Sequence, residues 1–258
     1  MKGTAVLSML LVSAAIAHAA HIPAFPQGSI DVQGRTQLVV NLGSFDLLAE
    51  VSGRQELSTP QPGLYGSLTL GGYYRVLPNL KIGAFYRLQA GALHDDDVIP
   101  VPLGPVDWAW NDTSGRLESI LMLDVSPRVQ LPFLPEENWV LMIKGRVLYN
   151  TLNGQASILA RPGLTWFWIV DRQPLLNVSL NYEMYFPLNF GTTPVYQAYP
   201  YLTLLWHAAP ELGIELGGAY KTTIWSTSQG WRDRGWTEYA IPVTSWVVSL
   251  GAVIQLAW

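Results

Sequence analysis

Three groups of residues in this chain are of types that do chemistry. The densest is His94-Asp95-Asp96-Asp97, where neighbouring carboxylate oxygens could hold Ca²⁺ or another hard cation. A solvated acidic loop has the same composition, and no metal or other cofactor is assigned to it. The second group is the nucleophiles, which need a base within hydrogen-bond reach. The histidines outside the N-terminal leader are His21, His94 and His207; His21 lies in a Pro-containing lead and His94 inside the acidic run, so no serviceable pair emerges and no enzyme is expected. The third group is the charged residues Arg75, Arg87, Glu118, Asp124, Arg128, Lys144, Arg146, Arg161, Glu183, Glu215 and Lys221, joined by Asp46, Glu50, Lys81 and Arg116. They recur at alternate positions opposite large apolar residues, as the lining of a water-filled or ion-paired interior would require.

A period of two is that of a β-strand, and about ten such segments can be followed. The first is ambiguous: Phe45, Leu47, Ala49 and Val51 alternate with polar residues, but residues 37–43 run out of phase and read as a bulge, a strand extension or a separate piece. Clear alternation then covers 64–76, 81–89, 116–129, 139–150, 158–170, 176–186, 199–206, 214–224 and 244–258. Short turns at 77–79, 171–174 and 208–211 alternate with longer connections, of which 94–115 and 226–242 are the longest and lack periodicity. Asn153-Gly154 is a hairpin dipeptide. This is the pattern of an all-β, antiparallel up-and-down β-barrel that crosses a membrane, in one domain over residues 20–258. Ten strands fit best, and eight or twelve also fit.

Both ends of the chain bear on location. Residues 1–19 combine Lys2, an apolar run and Ala17-His18-Ala19, the layout of a secretory signal peptide. The last stretch sets Trp246, Val248, Leu250, Ala252, Ile254, Leu256 and Trp258 on one face against small or polar residues on the other. Its Gly251, Ile254, Leu256 and Trp258 resemble the C-terminal signal of bacterial outer-membrane β-barrels. With the leader and the alternation, the chain resembles the small porin-like class of such barrels. That resemblance implies the bacterial outer membrane as location, its lipid as surroundings and the barrel-assembly machinery as partner during insertion. It is to a class and transfers no functional site. Outer-membrane proteases set an Asp pair against a His-Asp pair, whereas the single loop at 94–97 has no second His facing it. Outer-membrane phospholipases use Ser and His on the outer wall; Ser119 would face lipid, but His207 falls at the opposite end.

Energetics choose the face. Lys or Arg turned to lipid costs about 2–4 kcal/mol near the midplane, so several together would rival the roughly 5–15 kcal/mol stability of a domain. The charged face is therefore the lumen, and Trp139, Trp166, Trp168, Trp206, Trp246 and Trp258 are expected at the aromatic girdles. Charged residues make up only 13% of the chain, against about 25% in soluble domains, and no cysteine is present to form a disulfide. A net charge of −4 is too small to imply a polymeric partner, and nothing suggests nucleic acid. The expected function is a narrow porin-like channel for ions or small solutes, with a basic excess favouring anions and with Lys144 and Arg146 lining the pore. The alternative is a non-conducting barrel whose Trp-rich loops serve adhesion, a surface ligand or envelope integrity.

Overall fold

The computed structural model describes residues 27–57, 64–91, 97–100, 108–110, 115–132, 138–191, 193–227, 229–236, 238 and 240–257. The expected leader and Trp258 lie outside them. The described chain is all-β, with strands β1 (Gln27–Leu42), β2 (Phe45–Glu56), β3 (Leu64–Leu77), β4 (Leu80–Ala90), β5 (Asp97–Pro100), β6 (Trp108–Trp110), β7 (Glu118–Gln130), β8 (Trp139–Asn150), β9 (Ala156–Val170), β10 (Gln173–Pro187), β11 (Gln197–Ala209), β12 (Leu212–Thr227) and β13 (Ala240–Ala257). One four-residue helix, α1 (Gln229–Arg232), precedes β13.

Eleven of these strands close into a barrel in the order β1-β2-β3-β4-β7-β8-β9-β10-β11-β12-β13. Neighbours are antiparallel except at the seam, where β1 and β13 run parallel, with Gly34 opposite Leu250. The seam follows from the count: strands that alternate in direction end as they began when their number is odd. The expected ten strands become eleven because residues 27–42 form a complete strand. Their lumenal set, Ser29 to Asn41 on odd numbers, passes through a two-residue turn at Gly43, which has φ of 75°, and β2 continues with its lumenal set on even numbers. That change of parity is why residues 37–43 run out of phase with Phe45–Val51.

Two-residue turns prevail at one end of the barrel, which we call the turn end, with the eight residues 131–138 between β7 and β8 as the exception. Asp171 and Arg172 between β9 and β10 both have positive φ, 50° and 63°, the geometry of a primed two-residue hairpin. Longer connections lie at the other, loop end. The connection at 94–115, read as a long loop without periodicity, contains the β5–β6 hairpin, with Val98 opposite Trp110. β5 also pairs in parallel with the far end of β12, Ser226 opposite Asp97 and Thr227 opposite Val98.

The outward face is predominantly apolar. Leu68, Leu70, Leu121, Leu123, Val125, Leu180, Leu204, Leu216, Val248 and Leu250 are all exposed on it. No Asp, Glu, Lys or Arg occupies an outward position of the described barrel strands. A soluble barrel places this face inward, so the direction of the side chains, which periodicity alone leaves open, is settled as apolar outside and polar inside. Aromatic residues on the outer face fall into two groups. Phe45, Tyr74, Trp139, Trp166, Trp168 and Trp206 lie toward the turn end, while Tyr149, Tyr220 and Trp246 lie toward the loop end. Trp139 pairs across strands with Trp166 at 6.4 Å between ring centroids, and Tyr220 with Trp246 at 4.8 Å.

Candidate functional site: the barrel lumen

The lumen is a cavity of about 1100 Å³ lined from every barrel strand. Its cationic residues are Arg35, Arg54, Lys81, Arg87, Arg128, Lys144, Arg146, Arg161 and Lys221, and its acidic residues are Asp31, Asp46, Glu50, Glu56, Glu118, Glu183 and Glu215. Asp124 also points inward but is covered by its partners, with none of its side chain exposed. The expected basic excess therefore narrows to a single charge.

Asp124 is the hub of the largest cluster. Arg146 grips it through Nε at 2.5 Å and Nη2 at 2.8 Å, Lys144 approaches to 3.1 Å, and the Tyr73 hydroxyl donates to Oδ2 at 2.7 Å. Tyr73 in turn accepts from Lys144 Nζ at 2.7 Å. Register makes the contact: Asp124 stands directly opposite Arg146 on β8. Glycines place the tyrosine. Phe85 lies opposite Gly71 and Tyr73 opposite Gly83, and each ring folds down over the glycine across from it, where a Cβ would meet ring atoms at 2.5 Å and 2.7 Å. Glycine inside a strand commonly marks such a close approach. The two rings then meet edge to face at 4.8 Å.

A second cluster sits on β9, β10 and β11. Glu183, 1% exposed, accepts from Arg161 and Tyr199 and from Tyr185 at 2.7 Å. Arg161 lies over the Tyr201 ring at 5.6 Å. Beside it, Arg35 of β1 pairs with Glu215 of β12 at 2.5 Å and approaches Glu50 at 3.8 Å. Toward the turn end Lys81 bonds Asp46, which also accepts from Asn41 at 2.8 Å. Toward the loop end Tyr65, Gln89 and Glu118 form a chain with links of 2.7 Å and 2.6 Å, and Asn150 donates to the same Glu118 oxygen at 3.2 Å. Arg87 reaches Thr69 at 2.9 Å.

Every one of these bonds runs along the wall. The longest, Lys144 to Tyr73, joins strands three apart in the ring of eleven, and none spans to the opposite side. Buried charges are costly when unpaired and are held by close partners here, and a cavity of about 1100 Å³ remains between the walls. A single water needs about 10–15 Å³ of such space, so the cavity has room for many.

Of the expected lining residues, Arg87, Glu118, Arg128, Lys144, Arg146, Arg161, Glu183, Glu215 and Lys221 border the cavity. Arg75 does not. It is exposed beside a break in register between Arg75 and Leu77, at the turn end. Arg116 is likewise exposed, in the loop before β7. Arg35, Arg54, Asp31 and Glu56 were not foreseen, since they belong to β1 and to the part of β2 beyond Val51. Alternation of Asp31, Gln33, Arg35 and Gln37 with Ile30 and Val32 was the available signal. Of the acidic run, residues 94–96 lie outside the described residues and Asp97 begins β5. The Ser119 hydroxyl bonds that of Thr151, while His207 bonds Asn177 at 3.0 Å near the turn end. No known family profile matches the sequence, and no curated protein is similar to it.

Proposed function

We propose that this protein is a narrow channel for ions or small solutes, set in an outer membrane by its apolar exterior. The observation that carries this is the lumen itself: about 1100 Å³ of polar cavity, left open because its charges pair along the walls. Dimensions support the membrane setting. The shortest barrel strand, β4, has 11 residues, about 36 Å at 3.3 Å each, or about 28 Å at a tilt near 40°, enough for the roughly 25 Å apolar band of membrane barrels. Eleven strands also lie between the eight whose interior side chains can fill and the 16–18 of open porins.

A second reading, a non-conducting barrel that displays its loops, draws on the coverage of the loop end. Arg232 donates to the Gly191 carbonyl at 3.1 Å, tying the β12–β13 connection to that between β10 and β11. Uptake of a small uncharged solute by protein-containing vesicles separates the two readings. A channel raises the uptake rate above that of protein-free vesicles, whereas folded protein that leaves the rate unchanged would favour display.

A further inference from the structure

One arrangement in the lumen works against the fold. Lys144 on β8 and Arg161 on β9 are register partners, and like charges directly opposite each other on neighbouring strands are destabilising. Arg146, the next lumenal residue on β8, adds a third cation to the same wall. The three share two carboxylates, Asp124 and Glu183, so the group carries one net positive charge. Those carboxylates are withdrawn from the cavity: their side chains are 0% and 1% exposed, against 20% for Lys144 and 29% for Arg161. Each cation also lies over an aromatic ring, Lys144 over Tyr73 at 5.4 Å, Arg146 over Phe85 at 5.6 Å and Arg161 over Tyr201 at 5.6 Å, a position that favours positive charge. What this wall shows to the lumen is therefore cationic.

Across the lumen the balance is reversed. Glu50 on β2 and Glu215 on β12 share the single cation Arg35, which leaves one net negative charge. Each stands four strands from β8, one in either direction round the ring, where five is the most that eleven strands allow. Both carboxylates border the cavity, with side chains 15% and 13% exposed. Arg35, Glu50, Lys144, Arg146 and Arg161 lie toward the middle of their strands, and Glu215 is tied to that level by its contact with Arg35. Halfway along, the lumen is thus neutral in sum and polarised across its width.

We propose that the lumen passes small zwitterions of the amino-acid and short-peptide class, with the carboxylate turned to Lys144, Arg146 and Arg161 and the ammonium group to Glu50 and Glu215. The inference rests on the channel reading and names its solute. An uncharged solute gains nothing from opposed charges, and a solute of one sign is attracted by one wall and repelled by the other. A dipeptide extends about 7 Å, short enough to turn across the roughly 20 Å backbone diameter that eleven strands at ~4.8 Å spacing and ~40° tilt enclose.

The test is uptake at neutral pH by vesicles that hold the whole folded protein, against protein-free vesicles. The solutes are of similar size: diglycine as the zwitterion, N-acetylglycinamide as the uncharged form, N-acetylglycine as the anion and glycylglycinamide as the cation. Two variants each remove one lumenal charge and keep the main ion pair beside it, K144M leaving Arg146 on Asp124 and E50Q leaving Arg35 on Glu215. Diglycine is expected to enter several-fold faster than N-acetylglycinamide, and each variant to bring the two rates close to parity. Diglycine entering no faster than N-acetylglycinamide, or more slowly than either singly charged solute, would overturn the zwitterion assignment while leaving the channel standing. Folded variants that keep the full advantage of diglycine would overturn the roles given to Lys144 and Glu50. Entry of none of the solutes above the protein-free rate would overturn the channel reading and this inference with it.

Discussion

Asp124 shows what a lumenal charge does in this barrel. With its side chain fully buried and two cations plus a tyrosine on its oxygens, it acts as the anchor of a wall-hugging cluster. Lys144 and Arg146 are its counter-ions. Removing both leaves a buried carboxylate without ionic partners, a change that costs about 3–5 kcal/mol in such settings. K144A/R146A is accordingly expected to lower the denaturant midpoint of the folded protein strongly, and adding D124N is expected to recover part of the loss. An unchanged midpoint in the double variant would show that lumen water compensates the acid. Alternation alone made the inward direction of all three residues legible in the sequence. Their mutual contact was not, because parity fixes the face of a residue and register fixes its neighbour.

At the scale of elements, glycine does two separate jobs. Gly71 and Gly83 let Phe85 and Tyr73 lie flat on the wall, whereas a Cβ on outward-facing Gly145 would meet nothing within 4 Å. G71A places its new atom 2.2 Å from the Ala84 carbonyl oxygen and should destabilise by about 1–3 kcal/mol, the usual range for overpacking. G145A should be neutral or stabilise by up to about 1 kcal/mol through backbone entropy. Equal unfolding midpoints for the two variants would remove the packing role given to Gly71. Most strands were legible from periodicity because one face is predominantly apolar. β1 was not, since Gly34 and Thr36 interrupt its outward face, Val39 its inward face, and the turn at Gly43 shifts the phase. The β5–β6 hairpin, with strands of four and three residues, is too short for any period to emerge.

Over the whole molecule, an odd strand count departs from the even number of bacterial single-chain barrels and forces the parallel seam between β1 and β13. Parallel pairing is slightly weaker per residue than antiparallel, and this seam is correspondingly long, with 14 register pairs. The outer surface makes the firmest demand. Leu123, near the middle of β7 and 64% exposed, faces hydrocarbon if the barrel spans a bilayer. L123R should then cost about 2–4 kcal/mol in vesicles, measured by reversible denaturation; an arginine tolerated without loss would place this face in water.

The most direct measurement is the conductance of the refolded protein in a planar bilayer under a salt gradient. A water-filled lumen whose cationic and acidic residues differ by a single charge requires discrete current steps above a protein-free control, with a reversal potential close to zero. Folded, inserted protein that passes no current, or a current strongly selective for one sign of ion, would contradict it.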